Sequence, residues 1–476
     1  MTERLVSAPN PKETTTMARR RRIVTGLAVA LAAGVTSVAP VGATPSPVNL
    51  GGGGATFLAN IMDVCRALYN SNTASNPNKD VVSYASVGSG SGKSGFRTGT
   101  YDFGGTESAY GATETKPSNF VYVPLIGGPI AIGYRIDGIA PAGAQINLTG
   151  ELVAKIFAGQ ITNWNDPAIA AVNGATAVAL KASVAANGVT VKSTVRGNNV
   201  TFTATMNAAA LKRFKGMKIT VTPVTDGTAG TAVMNAGVRK SLTKLAILAE
   251  NTSYEVKAGT RVIGTLVPKA YTQGVKVTFP SLQIKVAYRQ GNSGTTNNFA
   301  NYLNKEFPSI WTKATSDAFT TAFPGTMPTD GTFQAASGND GVSNQVRDNN
   351  GTVTYAELSF LTERNISYAK VSNAAGKYVA PSPESSAKNL AAADVATDGV
   401  TTLNYKATDA ASYPINAISY GLASTSASAK ATAVKSYFTY FLNKCAPAQA
   451  APTGYTALTG EILTKALAQV ARIGAG

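Results

Sequence analysis

Histidine is absent from all 476 residues. That one absence removes Ser-His-Asp hydrolysis, Cys-His nucleophiles, His-ligated zinc and imidazole proton relays together. Cysteine is almost as scarce. Cys65 and Cys445 are too few for a four-thiolate metal site, which leaves one disulfide between the two ends of the chain or two buried thiols acting as small apolar groups. Acids number 25 against 42 Lys and Arg, a formal net charge of +17. Long apolar runs are missing too: beyond residue 43 no stretch of about 18 uninterrupted apolar residues occurs, so none of that part reads as a membrane-spanning helix. What remains is a chain with 44% apolar residues, sufficient to bury a core, and a length suited to about three domains.

The location of the charge decides what it means. Residues 1 to 43 carry +4 and residues 172 to 285 carry +12, so the rest sums to +1. A nearly neutral body is not a nucleic-acid groove, and nucleic acid is not an expected partner. The first segment has Arg19 to Arg22 after Met17-Ala18, an apolar stretch from Ile23 to about Val38, and Val41-Gly42-Ala43 before Thr44-Pro45. A basic start, a short apolar middle and a small-residue cleavage site read as a secretory signal peptide, residues 1–43. A membrane anchor is the competing reading, against which the run is short and broken by Gly and Thr. No cysteine stands beside the cleavage site, so no lipid anchor is evident. The expectation is an exported protein, periplasmic or extracellular.

Along the body, strand-like runs such as Phe120–Ile126 and Ile130–Tyr134 alternate with helical patterns such as Gly150–Phe157 after a Thr149 cap, which argues for an α/β architecture. From Val172 to Ser281 the texture becomes Thr/Val alternation with Gly and Asn turns. This predicts a small basic β domain, residues 174–281, with one helix near 236–250. After Gln283 the α/β texture returns, so the β segment is an insertion. Residues 364–412 read as surface loops with short helices.

Several motifs carry chemistry. Leu50-Gly51-Gly52-Gly53-Gly54-Ala55-Thr56-Phe57 reads as a glycine turn opening a helix, whose free N–H groups and Thr56 hydroxyl suit an anion, or equally as a plain glycine-rich start. Ser86 to Gly95 approaches a nucleotide P-loop but has Val87 where the first glycine must stand, so it reads instead as hydroxyl and N–H donors at a strand-to-helix turn. Asp102-Phe103-Gly104-Gly105-Thr106-Glu107 sets a carboxylate after a strand. Tyr288-Arg289-Gln290-Gly291-Asn292-Ser293-Gly294-Thr295 joins a charge, hydroxyls and a helix start in one turn, the most specific oxyanion signal in the chain. A calcium loop around Asn350-Gly351 fails because its first ligand position is Val346.

Taken in order, Gly53 to Phe57, Gly88 to Gly92, Asp102 to Glu107, Arg289 with Ser293-Gly294-Thr295, and Gly338-Asn339-Asp340-Gly341 resemble the phosphate-binding proteins of ABC phosphate importers. The resemblance implies two α/β lobes closing about a hinge, the type II periplasmic-binding-protein fold, formed by 44–126 with 413–476 and by 127–173 with 282–412. It implies hydroxyls from Thr56, Ser89, Ser293 and Thr295, backbone N–H groups from Phe57, Ser89, Gly294 and Thr295, and charge from Arg289. Glu107 stands where the family has an Asp that accepts the proton of hydrogen phosphate, and Gly291 where it commonly has an acid. Inorganic phosphate and an ABC permease are then the expected partners. No cofactor, metal or catalysis is expected. Two other readings stay open: a secreted phosphatase with a Ser or Thr nucleophile, and a surface scaffold whose basic insertion holds anionic polymer.

Overall fold

The computed structural model describes residues 46–476 apart from 175, 179, 197–198, 225–230, 246–251, 270 and 274–275. The expected signal peptide lies outside the described residues. Among those described, no helix is long and apolar enough to cross a membrane.

The frame is one curved sheet. Its strands are β1 (Asn49–Gly54), β2 (Val81–Ser86), β3 (Phe103–Thr106), β4 (Phe120–Tyr134), β5 (Lys285–Arg289), β6 (Phe333–Ala336), β7 (Thr352–Glu357), β8 (Ser367–Tyr368) and β9 (Asn416–Ser424). They pair in the order β6-β5-β7-β4-β9-β3-β1-β2, with β8 also on β4. Strand β4 divides the sheet. Phe120 to Pro129 pair with β9, whereas Ile130 to Tyr134 pair with β7 and the last two also with β8. Pairing on β4 thus passes from β9 to β7 between Pro129 and Ile130.

Each lobe repeats one plan. A central strand, β1 or β5, has two parallel neighbours, β2 and β3 or β6 and β7. An antiparallel strand follows on the third: β9 in the first lobe, the second half of β4 in the other. The helices α1 (Ala59–Ser71) and α2 (Ser89–Arg97) follow β1 and β2, α3 (Gly150–Phe157) follows β4, α4 (Gly294–Glu306) and α5 (Gly338–Asp348) follow β5 and β6, and α6 (Ala429–Tyr440) follows β9. Four of these helices thus begin at the carboxyl ends of parallel strands, where open α/β sheets bind ligands.

The glycine run expected as a turn is strand β1. A Cβ on Gly52 would lie 2.0 Å from Phe103 Cζ and one on Gly53 2.4 Å from Tyr101 Cζ, so glycine here is what lets aromatic rings lie on the strand. The turn comes later, at 55–58.

α1 and the α6 region are bound together twice, by Tyr69 against Tyr437 and Tyr440 at 5.1 and 5.2 Å and by a disulfide between Cys65 and Cys445 with Cα atoms 5.6 Å apart. The insertion has its own core, with Phe202, Ile219, Tyr254 and Val256 buried. Two antiparallel four-stranded sheets enclose it, one of 240–245, 199–206, 189–196 and 183–186, the other of 232–235, 218–223, 254–258 and 261–266. The helix expected near 236–250 is not there: Lys240–Leu245 is a strand paired with 200–205, and 246–250 lie outside the described residues. Cross-strand pairing outweighs the local preference of a short Lys/Leu segment. Among the described residues the helix of this domain is Ala208–Arg213, where the Asn207 side chain accepts from Ala210 N.

Candidate functional site

Arg289 ends β5 with its side chain only 3% exposed. Its Nη1 donates to Thr295 Oγ1 at 3.0 Å and to Asn339 Oδ1 at 3.2 Å, and its Nη2 donates to Thr56 Oγ1 at 2.8 Å. Each of these partners is neutral, and Nε has no partner among the described residues. Burial lowers the guanidinium pKa from its ordinary value, which marks the charge as costly to keep dry. A buried cation held by neutral groups, with two of its five N–H donors left over, is built to meet an anion. Thr56 Oγ1 also accepts from Asn339 N at 3.3 Å and Asn339 Nδ2 at 3.2 Å. With three N–H groups on its oxygen, the hydroxyl has its own proton to give.

The second half of the site is Glu107, just beyond β3 and 4% exposed. Ser89 Oγ donates to one carboxylate oxygen at 3.0 Å and Ser419 Oγ to the other at 2.9 Å. Burial pushes its pKa up to about 7, against the pull of the two hydroxyls and of Arg289 and with a small push from Asp317. Gly294, the first residue of α4, joins the halves: a Cβ there would come within 2.7 Å of both Glu107 Cβ and Ser89 Oγ. The N-terminus of a 13-residue helix therefore abuts the acid, and glycine is what admits it.

The expected residues fall into three groups. Thr56 and Thr295 bond Arg289 directly, while Ser89, Glu107 and Gly294 form the acidic half. Ser293, expected for its hydroxyl, and Phe57, expected for its backbone N–H, have their side chains engaged elsewhere. The Ser293 hydroxyl caps α4 by accepting from Thr296 N at 3.2 Å, and the Phe57 ring is core, edge-on to Tyr455 at 5.9 Å. Gly291 stands in open space with φ +70°. Asn339 and Ser419 were missed as site residues. Asn339 lies within the Gly338 to Gly341 motif, whereas Ser419 comes from the buried strand β9, far along the chain from Glu107.

The lobes touch around this seam. Gly90 N donates to Asn292 O at 3.2 Å. Lys93, on α2 and 2% exposed, bonds Glu114 at 2.7 Å and, across the lobes, Asp317 at 2.9 Å. Asp317 also accepts from Ser108 Oγ at 3.0 Å and Asn297 Nδ2 at 2.8 Å. On the other flank Asn60 Nδ2 donates to Ser359 Oγ at 2.9 Å, and Ser359 holds the buried carboxylate of Glu357, whose pKa burial raises to about 8. An open pocket of about 530 Å³ lies at the mouth, with Thr56, Gly88, Ser91, Arg289, Asn292 and Asp340 in its lining. Among the described residues no three acidic or thiol side chains gather as a metal centre requires.

The sequence matches the family model described as a PBP superfamily domain over residues 41–277 and 269–444. It is 24% identical over 348 residues to the phosphate-binding protein PstS of Xylella fastidiosa, covering 73% of this chain and 64% of the relative. It is 26% identical over 351 residues to phosphate-binding protein PstS 3 of Mycobacterium leprae, covering 71% and 64%. The match thus spans just under two thirds of these relatives' own length. Among solved structures, the fold resembles a high-affinity periplasmic phosphate-binding protein, PfluDING, with bound phosphate (TM-score 0.51, 19% identity, 89% of this chain and 92% of the other). It also resembles an ancestral soluble variant of the human phosphate binding protein (TM-score 0.52, 18% identity, 88% and 92%).

Proposed function

Since this chain belongs to the PBP superfamily, we propose that it is an exported solute-binding protein that holds inorganic phosphate between its lobes and delivers it to an ABC permease. The observation that carries the reading is the pairing, within one buried seam, of an arginine bonded to neutral groups with a carboxylate. Arg289 attracts any small oxyanion. Glu107 selects among them, because an ionised carboxylate facing the ligand is favourable only where the ligand offers a proton. Phosphate carries one at neutral pH and sulfate does not. The relatives named phosphate-binding proteins support the reading.

Binding needs no nucleophile, and the residues here hold rather than transform. Thr56, Ser89 and Thr295 supply hydroxyls. The α2 and α4 starts supply N–H groups, and closure of the lobes removes water so that each bond strengthens. In this reading the chain bends where β4 and the segment before β9 cross between lobes. The insertion, residues 174–281, stands outside the cleft.

Calorimetric titration of phosphate-stripped protein with phosphate, arsenate and sulfate tests this. Tight phosphate and arsenate binding with sulfate excluded is expected. Failure of every oxyanion to bind would overturn it.

A further inference from the structure

The insertion presents a face that the cleft does not use. In its first sheet the pleat sends Val191, Phe202 and Ala204 inward and their neighbours out. Register aligns Leu242, Thr203 and Lys192 in one row across three strands. Lys240 with Thr205 forms the row on one side, and Lys244 with Thr201 the row on the other. The three lysines are exposed, and none has an acidic partner among the described residues. Across these rows the residues between the lysines are threonines and one leucine, with no acid.

The spacing names the size of the partner. Lys240 and Lys244 lie four residues apart on one strand, about 13 Å, and Lys192 lies two strands away opposite their midpoint, roughly 12 Å from each. A single phosphate or sulfate reaches one lysine at a time, whereas an extended polyanion reaches all three. The surface between them names the chemistry. Threonine hydroxyls pair with hydroxyls, no aromatic ring lies on these rows to stack a base, and one exposed leucine is too little apolar surface to enter a bilayer. We propose that this face of the insertion binds an acidic polysaccharide, with Lys192, Lys240 and Lys244 on its carboxylates and the threonine rows on its hydroxyls. The proposal is independent of what occupies the cleft.

The test is binding of the full chain to polygalacturonate, neutral dextran and single-stranded DNA at low ionic strength. Polygalacturonate is expected to bind and dextran not. The triple variant K192A/K240A/K244A should lose roughly tenfold in affinity, the product of three exposed ion pairs of ordinary strength. The control K218A/K257A/R261A, on the second sheet, should change it less than about twofold. Unchanged unfolding midpoints show that both variants fold. Absence of polygalacturonate binding, equal losses in the two variants, or DNA binding as tight as polygalacturonate would each overturn the proposal.

Discussion

The cleft and the outer face of the insertion are made of the same ingredients, hydroxyls and cations, and differ in how much water surrounds them. In the cleft one arginine, 3% exposed, is bonded to Thr56, Thr295 and Asn339. On the insertion three exposed lysines stand among threonines. At 4 Å a unit charge pair is worth about 4 kcal/mol at the effective dielectric near a protein's interior edge and about 1 kcal/mol in water. One buried charge in a fixed shell can therefore outweigh three on the surface, and the carboxylate of Glu107 beside it is placed to choose between anions of equal size. The surface set cannot make that choice but can grip something long.

The strongest way to break this contrast is Arg289→Met. It should lower phosphate affinity by about a thousandfold, the roughly 3–5 kcal/mol scale of removing one partner from a buried charged contact. A loss below tenfold in calorimetry would put the buried cation on a par with a surface lysine. Next is Glu107→Gln, which keeps the shape and supplies an N–H donor. The ratio of phosphate to sulfate affinity should fall by about ten- to a hundredfold, the range for a mispaired buried polar group. The parent protein should show the same trend with acid: as pH drops through about 7, Glu107 becomes neutral and can donate, so sulfate binding should rise. Sulfate affinity flat from pH 8 to 5.5 would remove Glu107 as the selector.

Lys93→Met acts on closure. It deletes the cross-lobe bond to Asp317 and leaves two acids, Glu114 38% and Asp317 13% exposed, so solvent moderates the cost. Phosphate release in stopped flow should quicken about tenfold. An unchanged release rate would mean the latch carries no part of closure.

The smallest effect is on stability. Burial raises the folded-state pKa of Glu107 to about 7 and of Glu357 to about 8. The fold thus favours the neutral acids. Their contribution is complete below the ordinary carboxylate pKa of about 4.5 and is lost as pH rises through 7 and then 8. The unfolding midpoint should decline from pH 5 to 8.5, and Glu357→Gln should flatten the upper part of that decline. No change in slope would show that Glu357 ionises in both states alike.

Legibility in the sequence followed the distance between partners. The Arg289 to Thr295 turn could be read because charge, hydroxyls and helix start fall within seven residues. The α/β texture broken by a β insertion was equally plain, since periodicity is local. Ser419 meets Glu107 from 312 residues away, and Asp317 meets Lys93 from 224, so no local pattern announces either. The glycine run of β1 was misread for the same reason: the rings that require it belong to Tyr101 and Phe103, half a lobe later in the chain. At 236–250 a helical preference lost to a strand partner that the segment itself does not contain.

The bond between Cys65 and Cys445 spans 380 residues, so both chain crossings, the whole second lobe and the insertion lie inside one covalent ring. A protease that nicks a loop of the insertion opens the ring but frees no fragment. Such a molecule keeps its mass and migrates as one piece, and its break is seen only after a reductant is added.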